Sequence, residues 1–238
     1  MIVERSMDPS WLSNAYLVAD RPGGTGVFVD SGAPLDPLLS AVDRLDLHIP
    51  YLLTTHGHGD HVAHHDELEE RFGLTVMADP AEGVNGAEPL RHGAVFEVGE
   101  LNVEALRTPG HSPGGFSFVV EEACFTGDTL FAGSVGGTRS AFDDVRRSVM
   151  DVLMGLSPDL RVYPGHTEET TIGWEWEHNP FIRVWRGLDP EGDERCYVAG
   201  EEAALIVWSR DYDGGGKAWV RFRDGRDVIV GGSRVERQ

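Results

Sequence analysis

A chain of 238 residues suits one large domain, or one domain with a small module, and 40% apolar content can fill a core of that size. A net charge of −20, from 40 acidic against 20 basic residues, opposes binding to nucleic-acid phosphates and to anionic membranes. The opening "MIVERSMDPSW" has no basic segment leading into an apolar one, no apolar run reaches about 18 residues, and Cys124 and Cys196 do not make a disulfide framework. The expectation is a soluble, cytoplasmic protein with no nucleic-acid and no membrane partner.

In chain order, short apolar strands alternate with helical patterns. "NAYLVAD" (14–20) and "GVFVD" (26–30) read as paired strands joined by the turn "RPGGT". "LDPLLSAVDRL" (35–45) has helical spacing, "IPYLLTT" (49–55) reads as a buried strand, and "DELEERFG" (66–73) as a helix with a glycine cap. "LTVMAD" (74–79) and "NVEALRT" (102–108) are further strands. "GFSFVVEEACFT" (115–126) reads as a hairpin turning at Glu121 and Glu122. "AFDDVRRSVMDVLMGL" (141–156) predicts one helix and "LRVYPG" (160–165) another strand. Such an order predicts a layered α/β architecture. After Leu188 the pattern changes to "RCYVAG", "AALIVWS", "KAWVRFR" and "DVIVGGS", short strands between charged or Gly-rich turns with no helix. The expected division is therefore 1–188 as the main domain and 189–238 as a small β-rich module.

Five of the ten histidines fall between His56 and His65, so the chemistry is sought there first. Four segments each follow an apolar strand and end in potential metal ligands: "LLTTHGHGDH" (52–61), "LRTPGH" (106–111), "CFTGDTLF" (124–131) and "RVYPGH" (161–166). A rigid sheet positions the loops at its strand ends, so strands running alike would bring all four together at one edge. Imidazole and carboxylate suit borderline metals, and Gly57 and Gly59 would relieve crowding among donors so close in sequence. The donors are His56, His58, Asp60, His61, His111, Asp128 and His166, too many for one tetrahedral zinc and about right for two divalent ions sharing a carboxylate. Zinc is the first choice of metal, with iron or manganese as alternatives. His64 and His65 open a helix and are read as solvated or supporting. His48, His92 and His178 lack a motif and are read as structural.

"THGHGDH" resembles the HxHxDH signature of the metallo-β-lactamase superfamily. "TPGHSPGG", "FTGDTLFAGS" and "VYPGHTEETTIGWEWEHNPF" are similar to later motifs of its glyoxalase II-like, or hydroxyacylglutathione hydrolase-like, branch. The resemblance spans about 12–182. It implies a four-layer αββα sandwich with a dinuclear site, here followed by the small all-β module. His56, His58 and His111 would hold one metal, Asp60, His61 and His166 the other, and Asp128 would bridge them. It further implies a hydrolase that cleaves a thioester or related ester by a metal-bound hydroxide, with Asp128 fixing the centre and Asp60 orienting the nucleophile. Ser134 and Arg139 follow Asp128 and are candidate contacts for a substrate carboxylate, with plain loop structure the favoured reading.

Two departures leave the thiol carrier open: the C-terminal part is β-rich where glyoxalase II is helical, and "AGSVGGTR" stands where the branch often has Gly-Cys-Gly-Arg. Aspartate at 128, where zinc β-lactamases of the main subclasses carry cysteine, points away from antibiotic hydrolysis. The alternatives are a persulfide dioxygenase with one iron on His56, His111 and Asp128, and a non-catalytic metal-binding interaction protein.

Overall fold

The computed structural model describes residues 1–138 and 141–237. Its first sheet has six strands in sequence order: β1 (Ile2–Met7), β2 (Asn14–Ala19), β3 (Thr25–Val29), β4 (His48–Leu53), β5 (Thr75–Ala78) and β6 (Glu88–Pro89). The β1–β2 and β2–β3 pairs are antiparallel, and β3 to β6 run parallel. Parallel neighbours need crossover connections. Helix α1 (Asp36–Leu45) supplies one, and the short α2 (Gly59–Val62) with α3 (His65–Phe72) supplies the next.

The second six-stranded sheet has the order β14-β13-β10-β9-β8-β7, built from β7 (Ala94–Val98), β8 (Leu101–Arg107), β9 (Phe116–Val120), β10 (Ala123–Gly127), β13 (Arg161–Pro164) and β14 (Thr170–Thr171). Between β10 and β13 lie the small hairpin β11 (Leu130–Phe131) and β12 (Ser134–Val135), then α4 (Phe142–Arg147). Helices α5 (Ile172–His178) and α6 (Pro180–Trp185) follow β14.

Strand periodicity explains the layering. Successive side chains point to opposite faces, and here both faces are buried. Tyr16, Val18, Val27 and Val29 face Phe118, Val120 and Phe125 in the core between the sheets. The intervening Leu17 and Phe28 pack outward with Leu38, Leu39 and Val42 of α1 and Leu68 of α3. On the far side of the second sheet, Cys124 and Val162 meet Val145, Val149, Phe181 and Ile182. The result is the αββα sandwich expected from the sequence.

An antiparallel five-stranded sheet completes the chain, in the order β18-β17-β16-β15-β19: β15 (Glu194–Val198), β16 (Glu201–Ser209), β17 (Lys217–Phe222), β18 (Asp227–Gly231) and β19 (Val235–Arg237). Its two faces differ in what they pack against. Leu205, Ala218 and Val220 gather with Cys196 in a small core of its own, whereas Ile206, Val207, Trp219 and Ile229 join the outer helical layer of the sandwich.

Three sequence expectations change. The helix predicted for 141–156 is α4 followed by a π-helical turn (Ser148–Val152) and a 3-10 turn (Leu153–Gly155). Val145, Val149 and Leu153 are all buried; a spacing of four drifts around a regular α-helix, and the wider turn takes up that drift. The C-terminal part holds one 3-10 turn, Gly232–Arg234, where no helix was expected. Helices α5 and α6 were not foreseen. Buried Glu175 on α5 accepts from Gly133 N at 3.0 Å and Thr170 Oγ1 at 2.8 Å, tying that helix to the β11–β12 hairpin.

Because Trp219 is 3% exposed within a core shared by both sheet systems, Trp219→Ala is expected to cost about 3–5 kcal/mol. Urea unfolding should report it as one shifted transition.

Candidate metal centre

The parallel course of β8, β10 and β13 follows from their pairing, since β9 lies antiparallel to both β8 and β10, and β13 is parallel to β10. Their following loops therefore emerge at one end, and the loop after β4 joins them there. Backbone bonds lock the loops together: Gly165 N donates to Gly127 O at 2.8 Å, Phe116 N to Thr55 O at 2.8 Å, and Ser31 N to His61 O at 2.8 Å. A register shift between Phe125 and Gly127 interrupts the β10–β13 pairing just before Asp128. Such bulges re-aim the side chains beside them.

All seven sequence-predicted donors meet at this end. They form three overlapping groups: His56, His58 and His111; His56, His61 and Asp128; Asp60, His61 and His166. Within each group the candidate ligand atoms lie within 4.8 Å of one another. The Asp128 carboxylate faces both flanks. Its Oδ1 is 3.3 Å from His61 Nε2, while its Oδ2 is 3.4 Å from His111 Nε2 and 3.5 Å from His166 Nε2. Asp60 Oδ2 lies 3.5 Å from His166 Nε2 and 3.7 Å from His61 Nε2. His111 Nε2 is 3.0 Å from His58 Nδ1.

The donor set fits divalent metal ions on a test of its own atoms. His56 Nε2, His61 Nε2, His166 Nε2 and Asp128 Oδ1 are buried and make no hydrogen bond within the protein. Buried polar atoms are almost always partnered; among the described residues Ser13 Oγ, Asn14 Oδ1, Ser112 Oγ and Trp185 Nε1 also lack a partner, but the four donor atoms gather in the converging groups.

The opposite ring nitrogens are occupied, which aims these atoms inward. His56 Nδ1 is 3.0 Å from Thr55 Oγ1, His111 Nδ1 is 3.0 Å from Gly137 O, and His166 Nδ1 is 2.9 Å from Leu12 O. His61 Nδ1 is 2.8 Å from Asp30 Oδ2, which also accepts from Thr55 Oγ1 at 2.7 Å. Asp30, Leu12 and Thr167 hold φ of 56°, 58° and 73°, left-handed values uncommon for residues with side chains, and all three border the cluster.

Glycine serves two close approaches. A Cβ at Gly165 would sit 2.3 Å from Asp128 Oδ1, and one at Gly57 would sit 2.2 Å from Glu82 O. Gly59, expected to do the same, has open space around it and starts α2 instead.

Burial and attraction oppose one another in the cluster. Burial pushes the His56 imidazole well below its usual range and His111 down to about 4. Burial acts likewise on His61 and His166, but the carboxylates together outweigh it, Asp128 with Asp30 at His61 and Asp128 with Asp60 at His166. His61 ends well above the usual range and His166 at about 9. Burial favours protonation of Asp128, yet His166 and His61 hold its carboxyl well below the usual range. The carboxylate thus draws positive charge to the same nitrogens that face the centre.

Other expectations land nearby. His65 is buried, with Ser31 Oγ 2.6 Å from Nδ1 and Thr54 Oγ1 2.8 Å from Nε2, so it braces the β3 and β4 loop ends, while His64 is part-exposed beside Glu67. Ser134 is buried in β12, its Oγ accepting from Ser209 Oγ at 3.2 Å and its carbonyl from Asn179 Nδ2 at 3.0 Å. Arg139 lies outside the described residues. Asp30 was missed as a supporting group. The available signal was its position, an aspartate directly after an apolar strand, as in the donor loops.

Known proteins give the same direction. The family model described as the Metallo-beta-lactamase superfamily matches residues 9–166. The chain is 30% identical over 196 residues to hydroxyacylglutathione hydrolase GloC of Haemophilus influenzae, covering 71% of this chain and 92% of that protein. Among solved structures, ETHE1 from Myxococcus xanthus aligns with a TM-score of 0.66 at 30% identity, covering 79% of this chain and 92% of the other. TTHA1623 in a di-iron-bound form aligns at 0.62 and 31%, covering 74% and 98%.

Asp30→Asn preserves shape but removes the negative charge that faces His61 Nδ1 at 2.8 Å. Metal affinity is expected to fall about 10- to 100-fold with the fold intact, as read by chelator competition and circular dichroism.

Proposed function

This chain belongs to the metallo-beta-lactamase superfamily, and from that premise we propose that it is a metal-dependent hydrolase cleaving thioesters of the hydroxyacylglutathione type. The observation that carries the reading is the convergence of seven donors, four of them with a buried atom lacking any hydrogen bond, at one edge of the sandwich. The similarity to GloC supports the bond type.

His56, His58 and His111 would hold one divalent ion and Asp60, His61 and His166 a second, with Asp128 shared; zinc suits these donors, as do iron and manganese. Bound there, such ions supply an acidified water and a Lewis acid for the scissile carbonyl. The protein's own contribution is preorganisation. The supporting bonds to Asp30, Thr55, Gly137 and Leu12 fix the imidazoles before any substrate arrives. Asp60 is 29% exposed at its side chain, against 7% for Asp128, so it is the carboxylate open to an incoming nucleophile, which it would orient. A thiolate leaves readily, so no strong general acid is required.

The convergence of Asp60, His61 and His166 beside the other donors supports two ions over a one-iron dioxygenase on His56, His111 and Asp128. The partial exposure of Asp60 beside the buried donors supports a catalytic centre over a closed structural one.

Selectivity for glutathione requires partners for its charged ends. The C-terminal cations are largely engaged already: Arg195 and Arg223 with Glu202, Arg221 with Glu191 and Asp227, Arg226 with Asp224 and Glu201, and Lys217 with Asp211. Weak discrimination follows. Lactoylglutathione is expected within about tenfold in kcat/KM of a thioester of an unrelated small thiol, or about 1.4 kcal/mol. A thousandfold preference would reveal a dedicated pocket. Asp128→Asn should reduce kcat/KM by about a hundredfold or more on both substrates; near-normal turnover would contradict the assignment of Asp128 to the centre.

A further inference from the structure

One loop of the C-terminal sheet stacks directly on a donor of the metal centre. Between β16 and β17, residues 210–216 turn back over the sandwich, and Tyr212 lies flat on His166. The ring centroids are 3.9 Å apart and the planes differ by 9°. Phe131 meets both rings edge-on, 5.8 Å from His166 and 5.8 Å from Tyr212. With Leu12 O at Nδ1, the His166 ring is held at one edge by a hydrogen bond, on one face by Tyr212 and from the side by Phe131.

The loop is built to hold that position. Lys217 Nζ pairs with Asp211 Oδ2 at 2.9 Å, their side chains only 8% and 3% exposed, and Nζ lies 5.5 Å and 5.6 Å from the Phe131 and Tyr212 ring centroids. A buried ion pair is weak evidence for stability because desolvation offsets attraction, and here it joins the loop residue Asp211 to the first residue of β17. At the loop's base, Gly232 N donates to Gly216 O at 2.7 Å and Ser209 Oγ to Ser134 Oγ at 3.2 Å. The loop is thereby tied to its own sheet and to the β11–β12 hairpin.

We infer that Tyr212 is a positioning residue for the metal half-site of His166, so that the C-terminal sheet completes the centre. The inference rests on the reading of His166 as a metal ligand. Stacked aromatic pairs restrict ring orientation and outer contacts of a ligating imidazole tune its affinity. Tyr212 acts through His166, not on substrate. The face of the ring carries the effect, so phenylalanine should replace tyrosine and alanine should not.

The test is a Zn²⁺ titration of the full chain against a chromophoric chelator, resolving each binding step in the wild type and in Tyr212→Phe, Tyr212→Ala and His166→Ala. The expected results are loss of one step in His166→Ala, about tenfold weakening of one step in Tyr212→Ala with both steps retained, and Tyr212→Phe within about twofold of wild type. Should the alanine variant not fold, Tyr212→Leu, which fills the volume without a ring, is expected to show the same weakening. A Tyr212→Ala or Tyr212→Leu titration matching wild type, beside a lost step in His166→Ala, overturns the inference and leaves the ligand reading standing. Tyr212→Phe as weak as Tyr212→Ala overturns it too, by assigning the effect to the hydroxyl. If His166→Ala itself titrates as wild type, the ligand reading falls first.

Discussion

Polar atoms buried without hydrogen bonds are the constraint on which the rest depends. His56 Nε2, His61 Nε2, His166 Nε2 and Asp128 Oδ1 face one another without a well-formed hydrogen bond, His61 and His166 meeting Asp128 only as charge partners at 3.3 and 3.5 Å. Each unpartnered buried polar group costs about 1–3 kcal/mol. Divalent cations would relieve that cost at the same atoms, which couples metal binding to stability as well as to chemistry.

The scaffold that sustains the arrangement is a consequence of strand direction. Parallel strands buried on both faces can be joined only by crossovers, and each strand end at the same edge becomes a loop with a fixed origin. Four loops at that edge carry the seven donors, those after β4 and β10 opening crossovers and those after β8 and β13 leading into antiparallel neighbours, and backbone hydrogen bonds tie the loops to one another. Asp30, at the end of β3, adds a fifth contribution from that edge by holding His61 Nδ1. The match to the superfamily ends at His166. The five-stranded sheet beyond it shares a core through Trp219 and Ile229, bonds to the sandwich at Ser134 and Thr138, and presents Tyr212 to His166.

Much of this was legible in the sequence, for identifiable reasons. Donors cluster in short Gly-containing segments after apolar runs, and that pattern survives without knowledge of tertiary contacts. A layered α/β order and the C-terminal strands were legible because apolar runs and turn residues are local signals, whereas the αββα arrangement came from the resemblance of the four donor motifs to a known superfamily. What escaped was set by packing. The change of helical pitch after Arg147 depends on which face of Val149 and Leu153 must reach the core. The role of Asp30 depends on a partner 31 residues away. Gly59 looked equivalent to Gly57, yet only the latter meets a backbone carbonyl. Tyr212 sits in "DYDGGG", a segment that reads as a solvated turn until the sheet folds it onto His166.

The central claim is that these seven side chains form one centre for two metal ions. Anomalous diffraction from crystals of the full chain loaded with zinc tests it most directly. The account predicts two peaks, one contacted by His56, His58 and His111 and the other by Asp60, His61 and His166, with Asp128 touching both. A single peak held by His56, His111 and Asp128, with Asp60, His61 and His166 turned away from it, would contradict the account.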